Sequence, residues 1–338
     1  MLDWQHRLNG DPLPWLLEPD PDNPGVRYFA LRDLLDRPED DPEVRSARSA
    51  IMATGPVPAI LDAQYPDGFW VKAGGGYSPK YRSTVWQIFF LAELGADPSD
   101  ARVRRGCEYL LGHSIASNGA FSANQKPVPS GCIHCLNGNL IHALNRLGYD
   151  GDPRVQAALD WQARAITGAE SFRYIKSGVP GPGFACSANQ GQPCGWGANK
   201  AMRALLSVPP ESRTPNVRRA IEAGVEFLFS RDPAVADYPY TGRVSSTWFK
   251  LGFPLTYWSD VLETTAVLVD LGYGDDPRLA AALQLVLSKQ DDQGRWKLEN
   301  ALAGKMWADI EAKRQPSKWV TCAHCASSSA WGKPSSGR

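Results

Sequence analysis

The sequence predicts an all-α domain built from a repeated pair of helices, and three observations lead to this fold class. A turn returns five times between apolar stretches, with first residues at 41, 100, 152, 214 and 276. A near-constant period indicates units that bury their apolar faces on one another, in one closed or solenoidal domain. Each turn starts with Asp or Thr, and Pro follows in all but the second. The composition, 43% hydrophobic and 21% charged, is typical of a globular protein.

The turns place the helices. Asp or Thr before Pro is a typical helix start, because the side chain caps the first turn and Pro fits the first helical position. Gly148 and Gly272, just ahead of two turns, suit the left-handed end of the preceding helix. The first helices of the pairs are predicted at 26–36, 83–94, 135–147, 195–207, 257–271 and 317–330. The second helices are predicted at 42–53, 100–112, 153–166, 215–230 and 277–289.

Charge and cysteine content narrow the class of protein. The net charge is zero, which gives no reason to expect nucleic acid or an anionic membrane as a partner. No apolar run is long enough to span a bilayer, and the first residues do not resemble a signal peptide. We therefore expect a cytoplasmic protein whose seven cysteines are thiols or metal ligands.

Two segments share a further pattern. Gln64-Tyr-Pro-Asp-Gly68-Phe-Trp70 and Gln290-Asp-Asp-Gln-Gly294-Arg-Trp296 both follow a second helix, and Asn118-Gly-Ala-Phe121 is a weaker echo. The pattern resembles the QW motif of the squalene and terpene cyclases, whose α/α toroid is shared with the protein prenyltransferase β subunits. The resemblance implies an (α/α)6 toroid, in which six inner and about six outer helices surround a central cavity. An open helical solenoid is the alternative.

The domain is expected to cover residues 1–321. Residues 322–338 lack a helical apolar stripe. We hypothesise that this tail is disordered or frameshifted, because reading the codons one base earlier can restore a helical Leu-Arg-x-Leu after Thr321. In that case Cys322 and Cys325 have no function.

The connections predict which end of the ring is functional. First-to-second helix turns are short, whereas the return connections are long: 66–82, 113–134, 167–194, 231–256 and 291–316. In an alternating ring the long loops emerge at one end, where the first helices also begin, and binding sites usually lie on such loops. These loops are rich in cations: Lys80, Arg82, Lys126, Arg173, Lys176, Arg243, Lys250, Lys313, Arg314 and Lys318. Cations at helix N-termini favour an anion such as a diphosphate or carboxylate, although each lysine alone can equally be solvated.

Aromatic residues lie in the same segments, and aromatic faces suit an isoprenoid or its carbocation, although core packing explains them as well. From both sets we select six candidate ligand-binding residues: Lys80, Arg82, Trp86, Lys250, Trp258 and Lys318. The expected partner is a hydrophobic or anionic small molecule.

Cysteines collect near the starts of two adjacent inner helices. Cys135, Cys186 and Cys194 could converge there, and together with Cys132 or His134 they would form a tetrahedral zinc site. Zinc ligated by Cys and His occurs in the prenyltransferases that the chain resembles, although Ser130 stands where their Asp ligand would be. Small buried thiols without a metal are the other interpretation.

An acid for the chemistry is harder to find. The Asp-x-Asp-Asp and Asp-Asp-x-x-Asp motifs of the terpene cyclases and synthases are absent, and Asp260 is the one acid at an inner-helix start. It is the candidate catalytic acid, or a helix cap. The resemblance implies an enzyme that transfers or cyclises an isoprenoid or its diphosphate. The alternatives are an (α/α)6 carbohydrate-active lyase or hydrolase and a binding toroid without catalysis.

Overall fold

The fold is the predicted (α/α)6 toroid. We describe it from a computed structural model that covers residues 6–169, 172–173, 180–181, 183–239 and 243–329. Helices alternate between an inner and an outer ring, and each outer helix packs against the inner helix before it. The second to the sixth inner helices contact one another in sequence order, and the sixth contacts the first. The first comes close to the end of the second where Gly25 meets the Leu94 carbonyl, so that the ring closes.

The inner ring is strongly apolar. In α5, for example, every residue from Thr84 to Ala92 is buried. The inner helices are α2 (Pro24–Phe29), α5 (Thr84–Glu93), α7 (His134–Leu144), α9 (Gly195–Leu206), α11 (Val261–Leu268) and α13 (Lys318–Ser329). Three of them end in a single π-helical turn, at Ala30–Leu34, Asn145–Tyr149 and Val269–Tyr273.

The outer ring is amphipathic, with its apolar stripe on the inner helices. Its helices are α3 (Pro42–Ala53), α6 (Ala101–His113), α8 (Pro153–Thr167), α10 (Pro215–Phe229) and α12 (Ala280–Leu287). The short helix α1 (Leu13–Leu17) contacts both α2 and α13, and so it takes the sixth outer position. A further short helix, α4 (Pro56–Asp62), follows α3. The amide of Asn9 donates to Gln290 Oε1 at 2.8 Å, which ties the start of the chain to the last repeat.

Four of the five predicted caps are confirmed. At the fifth, Asp276 accepts from the Arg278 amide at 2.9 Å in a turn, and α12, predicted from residue 277, begins at Ala280. Side-chain oxygens of Asp41, Asp100, Asp152 and Thr214 accept hydrogen bonds from backbone amides in the first turns of α3, α6, α8 and α10. Gly148 lies at φ 82°, a left-handed conformation that ends α7 and its π turn without the strain a side chain would bring. Local sequence therefore sets where each helix of the ring begins and ends.

The motif that resembles a QW repeat has one structural role in both copies. The indole N–H of Trp70 donates to the Ile60 carbonyl at 2.7 Å, and that of Trp296 donates to the Val286 carbonyl at 2.8 Å. Both indoles are fully buried. The backbone amide of each Trp donates to a threonine of the next inner helix, Thr84 or Thr321. Each copy thus fastens the helix before it, α4 or α12, to the inner helix that follows.

Three features differ from the sequence prediction. The helix predicted at 257–271 begins only at Val261, because residues up to Asp260 are extended and Asp260 is its cap. The last inner helix runs from Lys318 to Ser329 and buries Cys322 and Cys325, so the expected boundary after residue 321 falls within a helix. Two short antiparallel strands, β1 (Phe172–Arg173) and β2 (Pro180–Gly181), lie in the loop before α9.

The frameshift idea for the tail stays a hypothesis, and residues 330–338 lie outside the described part of the chain. Among the described residues, no helix combines the length and apolar character needed to cross a bilayer.

Candidate functional site

A cavity of about 700 Å³ lies at the long-loop end of the ring, where the inner helices begin. We call it the upper cavity. The starts of α7 and α9 and the loops before α5, α9 and α11 surround it. The cationic, aromatic and thiol side chains of its described lining are Tyr77, Lys80, Cys135, Cys186, Cys194, Trp196, Arg243 and Tyr257.

Among the described lining residues of the upper cavity, two are cations, Lys80 and Arg243, and both are exposed. The Lys80 ammonium lies 4.1 Å from the centre of the Tyr257 ring and 5.4 Å from that of Tyr77. No Asp or Glu is among the described residues that line this cavity. The cavity therefore has a positive field at its mouth, as the loop composition predicts.

Aromatic rings form the floor beneath these cations. Tyr257 lies 6.4 Å from Trp86 and 6.3 Å from Trp196, measured between ring centres. The Trp86 indole donates to the Tyr77 carbonyl at 2.8 Å, which fixes the loop that carries Lys80. Trp258 packs edge-on against Tyr257 at 5.4 Å and is buried behind it.

Three thiols converge on the upper cavity as predicted: Cys135, Cys186 and Cys194. The Cys194 thiol donates to Cys186. Together with the backbone amides of Ala188 and Asn189, this hydrogen bond outweighs burial and lowers the pKa of Cys186 to about 6. Burial raises the pKa of Cys135 to about 12. The hydrogen bond thus favours the thiolate form of Cys186 and, together with burial, the neutral form of Cys194, and burial favours the neutral form of Cys135.

Neither of the two expected fourth ligands is among the residues that line the cavity. Cys132 is fully buried, with its thiol 3.6 Å from Asn118 Oδ1. His134 is buried between Trp161 and Phe184, and its Nδ1 is hydrogen-bonded to the Gln162 side chain. Burial lowers its pKa to about 3. In the described part of the chain, no three His, Cys, Asp or Glu side chains are arranged to hold a metal ion. The donor set does not form around the thiols, and the zinc site stays a prediction.

Asp260 is a helix cap. Its Oδ1 accepts from the Glu263 amide at 2.9 Å and its Oδ2 from the Gly252 amide at 3.0 Å. The side chain is fully buried and is not among the residues that line the upper cavity. Burial raises its pKa to about 7, with the nearby Glu263 carboxylate adding to the effect. Its position thus favours the capping role over the catalytic one.

Three of the six candidate ligand-binding residues are neither among the described residues that line the upper cavity nor among the rings of its floor. The Arg82 guanidinium lies over the Trp307 ring at 5.3 Å. The Lys250 ammonium is 3.4 Å from Oγ of Ser246, which lies at the rim of the cavity. Lys318 forms an ion pair with Asp20 at 3.2 Å, in a groove near the N-terminal segment. Lys80, Trp86 and Trp258 do cluster around Tyr257, and Lys176 lies outside the described residues.

Two tyrosines of the site, Tyr77 and Tyr257, were not among the candidates. Both precede an inner helix by a few residues, and that position was the available signal. A group of charged side chains inside the ring was not predicted either. It consists of Glu93, Lys200, Arg203 and Glu263, on otherwise apolar inner helices. Charged residues within an apolar stretch, such as Glu93 in α5 and Glu263 in α11, would have revealed it.

Known proteins offer only distant similarity. No family and no curated protein matches the chain. Among solved structures, the type II terpene cyclase MstE from Scytonema is 14% identical, over 91% of this chain and 87% of that one, with a TM-score of 0.44. A protein from Actinoplanes is 16% identical (92% and 90% covered, TM-score 0.43). A glycosyl hydrolase of family 88 from Bacteroides vulgatus is 14% identical (97% of both, TM-score 0.46). At these values nothing about the substrate or reaction of this chain follows from the similarity.

Proposed function

We propose that this protein is a terpene-cyclase- or prenyltransferase-like enzyme that binds an isoprenoid or its diphosphate in the upper cavity and transfers or cyclises it. One observation carries the proposal: two cations, Lys80 and Arg243, line an aromatic cavity without a carboxylate among its described lining residues. A cavity of this kind suits a ligand with an anionic head and an apolar body.

The anionic head belongs at the mouth. Neither Lys80 nor Arg243 forms an ion pair with a described residue, so both charges are available to a ligand. The helices α7 and α9 begin at this cavity, and the partial positive charge of their N-termini adds to the field. A diphosphate, with several acceptor oxygens, can use both cations at once.

The apolar body belongs on the floor. Tyr77, Trp196 and Tyr257 present ring surface to the cavity, and Ile133 adds an aliphatic side chain. Such a surface is favourable for an isoprenoid chain through burial alone. Ring faces also attract a cation, which matters if positive charge develops on the chain.

The cationic mouth and the aromatic floor of the cavity together suit the ionisation of an allylic diphosphate. Ionisation of an allylic diphosphate breaks its C–O bond, and the bonding electron pair leaves with the diphosphate. Lys80 and Arg243 would stabilise the departing charge, and the rings of Tyr77, Trp196 and Tyr257 would face the allylic cation. Loss of a proton after ring closure, or capture by a second substrate, would complete cyclisation or transfer.

The carbohydrate alternative requires two carboxyl groups that face each other across a cavity. The upper cavity has none among its described lining residues. Elsewhere in the ring, Glu93 and Glu263 are both tied to Arg203, at 2.9 and 3.0 Å. We therefore do not propose glycoside cleavage in the upper cavity.

Calorimetric titration tests binding. Farnesyl diphosphate, farnesol and inorganic diphosphate are titrated into the wild-type protein, Lys80→Gln and the control Lys297→Gln, which removes an exposed lysine that is not among the lining residues. Farnesyl diphosphate should bind more tightly than farnesol or inorganic diphosphate. Lys80→Gln should weaken farnesyl diphosphate binding about tenfold, the effect of one hydrogen bond to a charged group, with Lys297→Gln unchanged. Equal loss in both lysine variants, or no binding by the wild type, would contradict the proposal.

Product analysis tests catalysis. The wild-type protein is incubated with farnesyl or geranylgeranyl diphosphate, and organic extracts and released diphosphate are measured. Cyclised hydrocarbon or alcohol with stoichiometric diphosphate supports the enzyme. Tight binding without turnover of any tested diphosphate would favour the binding toroid instead.

A further inference from the structure

A second cavity of about 670 Å³ opens at the opposite end of the ring. The C-terminal ends of α5, α7 and α9 line it on one side, and α11 and α13 line it from their first turns onward. We call it the lower chamber. Gly252, Phe253 and Leu255 line it, whereas Tyr257 lines the upper cavity, so the loop before α11 lies between the two. The Asn139 side chain donates to the Thr256 carbonyl at 2.7 Å and fixes this partition. The two spaces are therefore separate binding volumes.

An ion network forms one wall of the lower chamber. Arg203 Nη1 donates to Glu263 Oε1 at 3.0 Å, and its Nη2 donates to Glu93 Oε1 at 2.9 Å. Arg203 also donates to His142 Nε2 at 2.8 Å. Lys200 Nζ donates to the same Glu263 Oε1 at 2.6 Å. Lys200 and Arg203 thus balance the charges of Glu93 and Glu263.

The wall contains buried acceptor atoms without a described hydrogen-bond partner. All partners of Glu263 use Oε1, and Oε2 is buried with no hydrogen-bond partner in the described part of the chain. The residue is only 7% exposed and lines the chamber. A buried carboxylate oxygen without a hydrogen-bond donor destabilises the folded state. Such an atom commonly indicates a missing partner. Asn145 Oδ1, also in the chamber wall, is a second buried acceptor without a described partner.

The charges of the chamber leave an excess of acid. Asp150 and Asp270 line it and form no ion pair with a described residue. Among the described lining residues, Arg146 is the one cation outside the network, and it lies over the Phe29 ring at 4.8 Å. Asp33, the remaining acid, is paired with Arg32 at 2.5 Å. One added positive charge would bring the chamber to neutrality.

The opposite wall is apolar. The rings of Phe253 and Trp319 are stacked, with centres 4.4 Å apart and planes at 5°. Leu255, Leu262 and Val267 continue this surface. An apolar ligand body would bury surface here, and an aromatic face beside an acidic wall favours a cation.

We propose that the lower chamber is a second ligand site, which takes an organic ammonium group on an apolar body. The ammonium donates to Glu263 Oε2 and neutralises the excess of Asp150 and Asp270, while the body packs on Phe253 and Trp319. This inference does not rest on the function proposed for the upper cavity, because no residue is shared between the two linings.

Matched probes test the charge preference. 4-Phenylbutylamine and 4-phenylbutanoate, which differ in the sign of the head group, are titrated by calorimetry into the full-length protein. We expect the amine to bind with one site and the carboxylate to bind at least about tenfold more weakly to this chamber, the effect of one lost charge-assisted hydrogen bond. No binding of the amine, or tighter carboxylate binding that Arg146→Gln abolishes, would overturn the proposal.

Variants locate the site. Asp270→Asn removes a chamber charge without breaking an ion pair, and Ala266→Phe fills the chamber. Asp67→Asn is the matched control, since Asp67 is an exposed acid elsewhere. Asp270→Asn should weaken amine binding about fivefold and Ala266→Phe should abolish it, with the control unchanged. Glu263→Gln should also weaken binding of the amine. Because this variant loses the partner of Lys200 and can fail to fold, Asp270→Asn and Ala266→Phe keep the test decisive. An amine affinity that is the same in Ala266→Phe and wild type contradicts the proposed site.

Discussion

The Lys80 ammonium lies 4.1 Å from the centre of the Tyr257 ring, so the loop before α5 and the loop before α11 meet at one cation–π contact. This contact positions a cation that has no ion-pair partner among the described residues. Its strength depends on the ring and not on the hydroxyl group.

Substitution of Tyr257 tests this contact. Tyr257→Phe should leave the affinity for inorganic diphosphate within about twofold, and Tyr257→Ala should lower it about fivefold, since exposed cation–π pairs contribute about 1 kcal/mol. Calorimetry on both variants checks the prediction. Equal losses in the two variants would mean that the ring does not hold Lys80 in place.

Much of the fold could be predicted because its signals are local. The caps at Asp41, Asp100 and Asp152 depend only on neighbouring residues, and each appears where expected. Loop length and composition correctly indicated one cationic end. They could not indicate which loop cations would reach the cavity: Lys318 is held by Asp20, a residue almost three hundred positions away in sequence. Such long-range pairing leaves no periodic signal.

The sequence predicts which residues of the candidate site lie near each other, but not how all of their side chains are oriented. Convergence of Cys135, Cys186 and Cys194 followed from the adjacency of two inner helices, and it is observed. The orientation of His134 did not follow, because its side chain turns toward Gln162 on an outer helix. Helix adjacency fixes which residues are near each other, and rotamers then decide which ones meet.

The Cys186 thiolate gives a pH-dependent prediction. Alkylation of Cys186 by iodoacetamide should rise with a midpoint near pH 6, because the Cys194 thiol and two amides stabilise the thiolate. Cys194→Ala should shift the midpoint upward, and Cys194→Ser, which keeps a donor, should shift it less. Peptide mass spectrometry at each pH measures the rate.

Chelation provides the control for this experiment. A thiolate held by hydrogen bonds should react at the same rate before and after treatment with a zinc chelator. A rate that increases on chelation, with about one zinc released per chain, would instead support the predicted zinc site. An unchanged midpoint in Cys194→Ala would contradict the hydrogen-bond account.

The two motif tryptophans should be important for stability. Trp70→Phe removes a buried indole donor and leaves the Ile60 carbonyl unpaired, and Trp296→Phe does the same to Val286. We expect each to lower the free energy of unfolding by about 2–4 kcal/mol, from the lost hydrogen bond and the cavity that remains. Urea denaturation measures this. Trp307→Phe, at a 36% exposed site, is the control and should change stability by less than about 1 kcal/mol.

The raised pKa of Asp260 predicts that the folded protein becomes less stable as pH rises. Burial raises its pKa to about 7 in the folded protein, so between about pH 4 and 7 the folded state holds a proton that the unfolded chain has lost. The stabilisation from this proton is complete at low pH and lost as pH rises through about 7. Relative to Asp260→Asn, which cannot titrate, the wild type should lose about 2 kcal/mol between about pH 5 and 8. A pH-independent difference between the two proteins would show that the carboxyl group is already charged at low pH.

The most direct test of the proposed function is a crystal structure with a farnesyl diphosphate analogue that cannot ionise, such as the thiodiphosphate. We expect the diphosphate group within hydrogen-bond distance of Lys80 and Arg243, and the isoprenoid chain over the rings of Tyr257 and Trp196. Density for the ligand in the lower chamber, or on the outer surface with an empty upper cavity, would contradict the proposed function.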